Sequence, residues 1–500
     1  MTPEITKVLR LHPDDNVGIA LKDLDAGEAG AAEPVPQGHK IALMPIEAGT
    51  FVRKYGQIIG AATQDIRAGA HVHTQNLGVG TERGGNAGSS DVVPIAPARN
   101  RDSFLGYPRP DRRAGTRNFV GILTTVNCSG SVAHFIAEEA ERSGLLADLP
   151  NIDGVVPIAH GSGCGMAGQG EGYETLMRTL AGYAQHPNFG AILLVGLGCE
   201  VMQLPVLAAR KEMRDPKRFR FLTIQQSGGT RKTIETALPV LRELAEEANR
   251  TQREPVSAEH LVIGLQCGGS DGLSGITANP ALGVASDLVV AQGGTTILSE
   301  TSEIYGAEHL LTRRATPQVA AALMERIGWW EAYCARHGGH MDNNPSPGNK
   351  RGGLTTILEK SLGAVAKGGS APLTAVYKYA EPIRSRGFVF MDSPGYDPCS
   401  VTGQVASGAN LIVFTTGRGS VSGYRPVPCI KIATNNDLWA RMSEDMDINC
   451  GDIIDGVPVA EKGEDIYRMM LDVASGQPTK SEAQGFGRVE FVPWQLGAVM

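Results

Sequence analysis

The chain is poor in aromatic residues, which make up 5% of it. This argues against a surface that reads bases or sugars by ring stacking. No run of about 18 apolar residues occurs, so no membrane-spanning helix is expected. The opening MTPEITKVLRLHPDD carries acidic residues and no apolar stretch, which reads as the absence of a secretory leader and sets the expectation of a cytoplasmic protein. There is no basic block, and the net charge is −7, so neither nucleic acid nor an anionic membrane surface is an expected partner. A small anionic substrate stays open, because a few local cations outweigh a modest net charge. No C-x-x-C pair is present, which removes a zinc ribbon. TTGRGS at 415–420 lacks the lysine of a Walker loop, and no glycine-rich dinucleotide fingerprint follows a strand with its acidic partner.

What is abundant is glycine, 63 residues in 500. Many of these glycines follow apolar runs, as at tight strand-to-helix turns where backbone approaches a ligand. The first 77 residues read as a small all-β domain: ITKVLRL, NVGIALKDL, HKIALMPI and YGQIIGAA are short β-prone segments. A weak repeat runs through them, DLDAG at 23–27, PIEAG at 45–49 and DIRAG at 65–69, each ending in glycine. Residues 78–103, rich in Gly, Ser, Pro and Ala, read as a linker. Beyond it, apolar runs alternate with amphipathic segments: FVGILTTVN with SVAHFIAEEAERSGLL, DGVVPIAHG with EGYETLMRTLAGYA, AILLVGLG with MQLPVLAARKEM. LVIGLQ, TTILSE, FVFMDS and LIVFTTG continue the pattern after a polar break at 248–256. The pattern predicts two α/β lobes with mainly parallel sheets, at 104–252 and 253–500.

Four apolar runs end in a small polar segment that contains a cysteine: Cys128, Cys164, Cys199 and Cys267. Ligands bind outside the carboxyl ends of parallel strands. A single cysteine in such a place is readily a packed thiol; four in the same kind of place point to iron, zinc or an iron–sulfur cluster. Cys334, Cys399, Cys429 and Cys450 lack that context and read as structural. His160, Asp271, Glu300, Glu303, Asp392, Asp397 and Arg418 also follow apolar runs, which suggests a polar cleft. NNPSPGNK at 343–350 brings Asn343, Asn344, Asn349 and Lys350 onto one constrained loop able to hydrogen-bond a polyol or a carboxylate. TTGRGS offers backbone N–H groups and Arg418 as a carboxylate clamp. In AHVHTQN, His71 and His73 are two apart and share one face of a strand, which suits a pair of metal ligands.

At these motifs the sequence resembles the altronate/galactarate dehydratase family over nearly its whole length. QGHKIAL, KYGQIIG and HVHTQN resemble a SAF domain of β-clip type, and RAGTRN, GLGCE, CGGSDGLSGITANPALG, NPSPGNK, FTTGRGS and KIATN match the catalytic part. The resemblance carries over onto His71, His73, His160, Cys128, Cys164, Cys199, Cys267, Asp271, Lys350 and Arg418. It implies a metal-dependent hydro-lyase, with Fe²⁺ the expected ion; the cysteine set leaves an iron–sulfur cluster open in its place. Its substrate would be a small anionic sugar acid, altronate or galactarate, converted to a 2-keto-3-deoxy acid. HVHTQN is similar to the altronate type, whereas LTRRA and MDINCG are similar to galactarate enzymes. A sulfolactate sulfo-lyase, a C–S lyase, also resembles this family, but there the small domain is usually a separate chain.

On this reading the catalytic set is His160, Lys350 and Asp271. Arg418, Asn344 and Asn349 bind substrate. The metal sits either on His71 and His73 or on the four cysteines. A SAF-like binding module leaves the other ~400 residues unexplained. An iron–sulfur redox protein leaves Lys350, Arg418 and the asparagine loop without a role. A homo-oligomer, commonly a dimer, is the expected assembly.

Overall fold

The computed structural model describes residues 7–80 and 92–499. Residues 1–6, the first part of the segment read as lacking a leader, and 81–91, the middle of the expected linker, lie outside the described residues, as does Met500.

The small domain is all β, as its segments predict. Strands β1 (Val8–Leu9), β2 (Val17–Ala20), β3 (Lys40–Ala42) and β6 (His71–Val72) form one antiparallel sheet in the order β1-β2-β3-β6. A second antiparallel sheet has the order β4-β5-β7, from β4 (Phe51–Lys54), β5 (Gln57–Ala62) and β7 (Leu77–Gly78). The five-residue repeat is a recurring turn. Its Leu24, Ile46 and Ile66 are buried, and its closing Gly27, Gly49 and Gly69 have φ of 89°, 81° and 77°, a conformation that favours glycine. At Gly69 a Cβ would also overlap the Gly30 carbonyl.

β8 (Ser103–Pro108), β9 (Ala114–Gly115) and the later β14 (Glu254–Ser257) make a small sheet at the entrance to both lobes. The first lobe is a parallel sheet of order β11-β10-β12-β13, with β10 (Phe119–Thr124), β11 (Gly154–Ile158), β12 (Phe189–Gly196) and β13 (Phe219–Thr223). Every residue of β10 is buried because both faces are covered. Val120, Ile122, Leu193 and Val195 face the helices Gly130–Arg142 and Thr230–Ala248. Leu123, Ile192 and Leu194 face the other way, into a core shared with Val401, Val405 and Ile412 of the second lobe.

The second lobe is a seven-stranded parallel sheet. Its strands are β15 (Val262–Cys267), β16 (Thr295–Leu298), β17 (Leu373–Tyr377), β18 (Gly387–Met391), β19 (Leu411–Thr416), β20 (Cys429–Ala433) and β21 (Ile448–Asn449). The order β17-β18-β16-β15-β19-β20-β21 reverses direction at the central β15. Such a reversal opens a crevice at the carboxyl ends of the strands. The amino ends of the two sheets meet where Thr116 Oγ1 donates to the Asn410 carbonyl (2.7 Å) and Asn188 Nδ2 to the Pro426 carbonyl (3.0 Å). The helix Glu171–Ala184 lies so close to Asp397–Ser407 that a Cβ at Gly182 would overlap the Ala406 carbonyl.

The small domain is docked on the second lobe through the helix Ile357–Val365. Lys40 Nζ and Lys54 Nζ reach the two carboxylate oxygens of Glu359 at 2.8 and 3.0 Å. No helix among the described residues is long and apolar enough to cross a membrane.

Candidate active site

The loop that leaves β15, Gly268–Asp271, is a hub at the reversal point. Gly417 N and Arg418 N donate to the Gly269 carbonyl (3.1 and 2.9 Å), Asn349 Nδ2 to the Ser270 carbonyl (2.9 Å) and Gly272 N to the Gly352 carbonyl (2.7 Å). The carboxylate of Asp271 is engaged on both oxygens by Ser274 Oγ and N (2.8 Å each), Thr434 Oγ1 (3.0 Å to each oxygen) and Asn435 Nδ2 (2.8 Å). These donors make it a strut between the β15 and β20 loops.

The NNPSPGNK motif closes over this hub through the short helix Pro347–Arg351. That helix begins with a reciprocal cap in which Ser346 and Asn349 satisfy each other's backbone N–H. Both ends of the Asn349 amide are therefore committed within the protein. The ammonium of Lys350, one residue on, makes no hydrogen bond or ion pair among the described residues, and neither does the guanidinium of Arg418, which is exposed. Two unengaged cations thus flank the hub.

Beneath the loops lies a buried ionic group. Cys267 Sγ accepts from Lys367 Nζ at 2.8 Å, Lys360 Nζ donates to Glu303 Oε1 at 2.5 Å, and Asn344 bridges the pair, its Nδ2 to Glu303 (2.8 Å) and its Oδ1 from Lys360 (2.7 Å). Glu300 is fully buried with φ 69°, strained for a residue with a side chain, and neither carboxyl oxygen has a hydrogen-bond partner among the described residues. Two ammonium groups face three carboxyls, those of Glu300, Glu303 and Asp397, and one thiol. Burial, then the nearby Glu303, pushes the Glu300 carboxyl well above its ordinary value and Asp397 up to about 7. Burial also works against ionisation of Glu303, but Lys360 and Lys367 outweigh it and hold that carboxyl below its ordinary value. Burial raises the Cys267 thiol to about 12 despite Lys367. The group therefore presents one carboxylate held ionised, that of Glu303, beside two carboxyls, those of Glu300 and Asp397, whose anions burial disfavours.

On the small domain, the register Ile41↔His71 across β3 and β6 brings His39 beside the expected pair. His39 Nδ1 lies 2.9 Å from His71 Nε2, the three rings have centroids 4.9–5.5 Å apart, and donor atoms of His39, His71 and His73 all fall within 4.8 Å of one another. His39 Nε2 faces the Arg351 carbonyl at 3.3 Å, so this trio stands next to Lys350. Burial lowers His39 to about 4 and, with Lys40, His73 to about 3; His71 is lowered by the same causes. The rings are neutral at pH 7, as ligation requires, and the buried Nδ1 of His73 has no partner among the described residues. His39 was legible only as part of QGHKIAL, whose histidine has no close neighbour in sequence. Lys360 and Lys367 sit inside what reads as an ordinary helix and its end.

The four strand-end cysteines do not form one set. Cys267 is buried in the second lobe, whereas Cys128, Cys164 and Cys199 are exposed on the carboxyl edge of the first. His160 lies beneath these three. Its Nε2 faces the Thr124 carbonyl and its Nδ1 accepts from Ser162 N, both at 3.2 Å, and burial lowers it to about 4. No contact joins it to Lys350. Cys399, Cys429 and Cys450 are packed in the interior.

Three family models together span the chain. Residues 6–79 match the altronate/galactarate dehydratase SAF domain, 106–249 the second domain of D-galactarate dehydratase/altronate hydrolase, and 258–499 the C-terminal domain of D-galactarate/altronate dehydratase. Altronate dehydratase of Bacillus subtilis is 35% identical over 495 residues, covering 96% of this chain and 97% of its own. Galactarate dehydratase (L-threo-forming) of Escherichia coli is 37% identical over 500 residues, covering 94% and 93%. The beta subunit of (2R)-sulfolactate sulfo-lyase from Chromohalobacter salexigens is 33% identical over 399 residues, 79% of this chain and 97% of that subunit.

Proposed function

The chain belongs to the D-galactarate/altronate dehydratase family, and from that premise we propose that it removes water across C2–C3 of an aldonate or aldarate to give a 2-keto-3-deoxy acid. The observation that carries this reading is the pair of free cations, Lys350 and Arg418, on either side of the Gly268–Asp271 loop and beside three neutral histidines.

Arg418 is suited to hold the substrate carboxylate through paired N–H donors, because its guanidinium is not spent on any described side chain. Lys350 would take the C2 proton, from a short helix held by the reciprocal cap of Ser346 and Asn349. Asn344 and Asn349 set the loop's shape rather than offering free amides to the sugar, since their polar atoms already have partners. Asp271 keeps the β15 and β20 loops together under it. Glu300, neutral and unpaired, is the group able to give a proton to a leaving hydroxide, if loop movement brings substrate within its reach.

His39, His71 and His73 would hold the divalent ion. Their neutral rings and the orphaned His73 Nδ1 fit imidazole-binding metals, Fe²⁺ among them. When bound, the ion supplies positive charge for the anion that develops on proton removal. A second reading of the metal places it on Cys267, Glu300 and Glu303, whose donor atoms also lie within 4.8 Å. The free oxygens of Glu300 favour it, and the two adjacent ammonium groups oppose it. We place the enzyme in the cytoplasm as a homo-oligomer, a dimer for preference.

The test is anaerobic incubation of the purified protein, with and without Fe²⁺, against altronate, galactarate, galactonate and sulfolactate. Iron-dependent 2-keto-3-deoxy acid from one sugar acid supports the reading and names the substrate. Sulfite from sulfolactate replaces it with C–S cleavage, and no product from metal-loaded protein overturns the substrate class.

A further inference from the structure

Free cysteine is among the most buried residue types. Of the eight cysteines here, three are exposed, and they are the three at the carboxyl edge of the first lobe: Cys128, Cys164 and Cys199. They come from three successive β–α loops that are fastened to one another. Asn127 N donates to the Ser162 carbonyl at 2.9 Å, and Val201 N and Met202 N both donate to the Gly163 carbonyl at 3.0 Å. The buried Glu200 ties the first and third loops, accepting from Thr125 Oγ1 (2.8 Å) and from Gly198 N (2.6 Å). Each cysteine therefore lies within two residues of a joint in one rigid platform. Gln225 Nε2 adds a donor to Cys199 Sγ at 3.4 Å, the kind of contact that stabilises a thiolate or a cluster sulfur.

The spacing excludes one occupant, a single ion held by all three thiolates. Thiolates around one tetrahedral ion, with metal–sulfur bonds of about 2.3 Å, stand only about 3.8 Å apart. The three Sγ atoms do not all fall within 4.8 Å of one another, whereas the two other ligand groups do. A cluster of several irons takes thiolates that are farther apart. We propose that Cys128, Cys164 and Cys199 hold a four-iron, four-sulfide cluster by three thiolates, so that one iron has no protein thiolate and is open to an oxygen ligand from outside. This site is separate from the histidine trio and from Cys267, and its assignment does not rest on the proposed dehydration.

The test is anaerobic reconstitution of the full chain with Fe²⁺ and sulfide, followed by counts of iron and acid-labile sulfide and by electron paramagnetic resonance before and after reduction. About four sulfides per chain are expected, with a cluster signal. The sulfide should be lost in Cys128→Ser, Cys164→Ser and Cys199→Ser but kept in Cys334→Ser and His73→Ala. Alkylation mapped by mass spectrometry gives a measure that does not depend on how a variant folds: the three thiols react in cluster-free protein and are shielded after reconstitution. Absence of sulfide from reconstituted protein overturns the proposal. So does sulfide that survives in all three serine variants, and so does a sulfide-free metal lost on removing any one of the three. Keto-acid formation is scored separately, so a failed dehydration and a failed cluster are distinguishable.

Discussion

Lys54 of the small domain and Glu359 of the catalytic region form an ion pair at 3.0 Å in which each side chain is only 1% exposed. Lys40 reaches the other oxygen of the same carboxylate, and Thr355 adds N–H and O–H donors at 3.0 and 2.7 Å. Such a pair contributes little net stability over an apolar contact, but it fixes which surface meets which, because either partner alone is stranded as a buried charge. The trio of histidines is thereby held over Arg351 and beside Lys350. Glu359 is thus a positioning residue for the proposed site.

Glu359→Gln leaves two ammonium groups facing a neutral amide in the interior. A loss of about 3–5 kcal/mol is expected, as for other broken buried pairs, read as a lower urea midpoint. Where the variant still folds, limited proteolysis should cut between the small domain and the rest faster than in the parent. An unchanged midpoint would mean that the domain interface is wet or mobile in solution.

Acid should weaken the fold through its buried histidines first, His186 and His160 among them, and through Glu359 after, with the same sign. Burial holds His186 down to about 3, against its ordinary 6.5, so between those values the unfolded chain binds a proton that the folded chain refuses. Stability is then full above pH 6.5 and falls as the pH drops. Glu359 is held at about 2, burial opposing and Lys40 and Lys54 prevailing, so its contribution is present above about 4.5 and is lost as the pH falls toward 2. His186 bridges the lobes, its Nε2 to the Ala409 carbonyl at 2.8 Å and its Nδ1 from Asn188 N at 3.1 Å. His186→Gln should lower the midpoint at pH 7 and flatten its dependence between pH 6.5 and 4.5, where Glu359 has not yet begun to titrate. A slope unchanged in that window would remove His186 as its source.

Chelation should strip an ion that depends on His39 as much as on His71 and His73. In the proposed site, His39→Ala and His73→Ala each lower bound metal by ten- to a hundredfold in affinity, followed by metal analysis after dialysis against graded chelator. Retention of the metal in both variants, with its loss in Glu300→Gln, would move the ion to the Cys267 group.

Much of this site was legible in the sequence, and what was not has a common cause. Cysteines and carboxylates at strand ends declare themselves by local pattern, because a parallel strand presents its last residues at the ligand edge. The pairing of His71 and His73 follows from strand alternation. His39 does not, because its approach depends on the β3–β6 register, set by chain 32 residues away. The separation of Cys267 from the other three depends on which sheet each strand joins, a tertiary choice. Lys360 and Lys367 read as the polar face of a helix and its end, yet that helix is buried all round: its Glu359 is spent on Lys40, its Lys360 on Glu303 and, just past its end, Lys367 on Cys267. The asparagines of the NNPSPGNK loop were recognisable as unusual, but whether they face substrate or their own loop is decided by contacts with Glu303 and Ser270.

The two free cations should separate in kinetics. If Lys350 moves the C2 proton, Lys350→Ala lowers kcat by about 10²–10⁴-fold with KM little changed. Lys350→Arg should not restore it, because a guanidinium does not release its proton near neutrality. If Arg418 holds the carboxylate, Arg418→Ala raises KM, whereas Arg418→Lys recovers part of the loss, since it keeps the charge and gives up the paired geometry. Both residues are partly or fully exposed and bonded to no described side chain, so neither change should move the urea midpoint by more than about 0.5 kcal/mol. That expectation lets a loss of rate be read as chemistry. Steady-state assays of keto-acid formation over a range of substrate decide it. If Lys350→Ala changes KM alone, or Arg418→Ala changes kcat alone, the two roles are exchanged and the carboxylate end of the substrate lies against the NNPSPGNK loop instead.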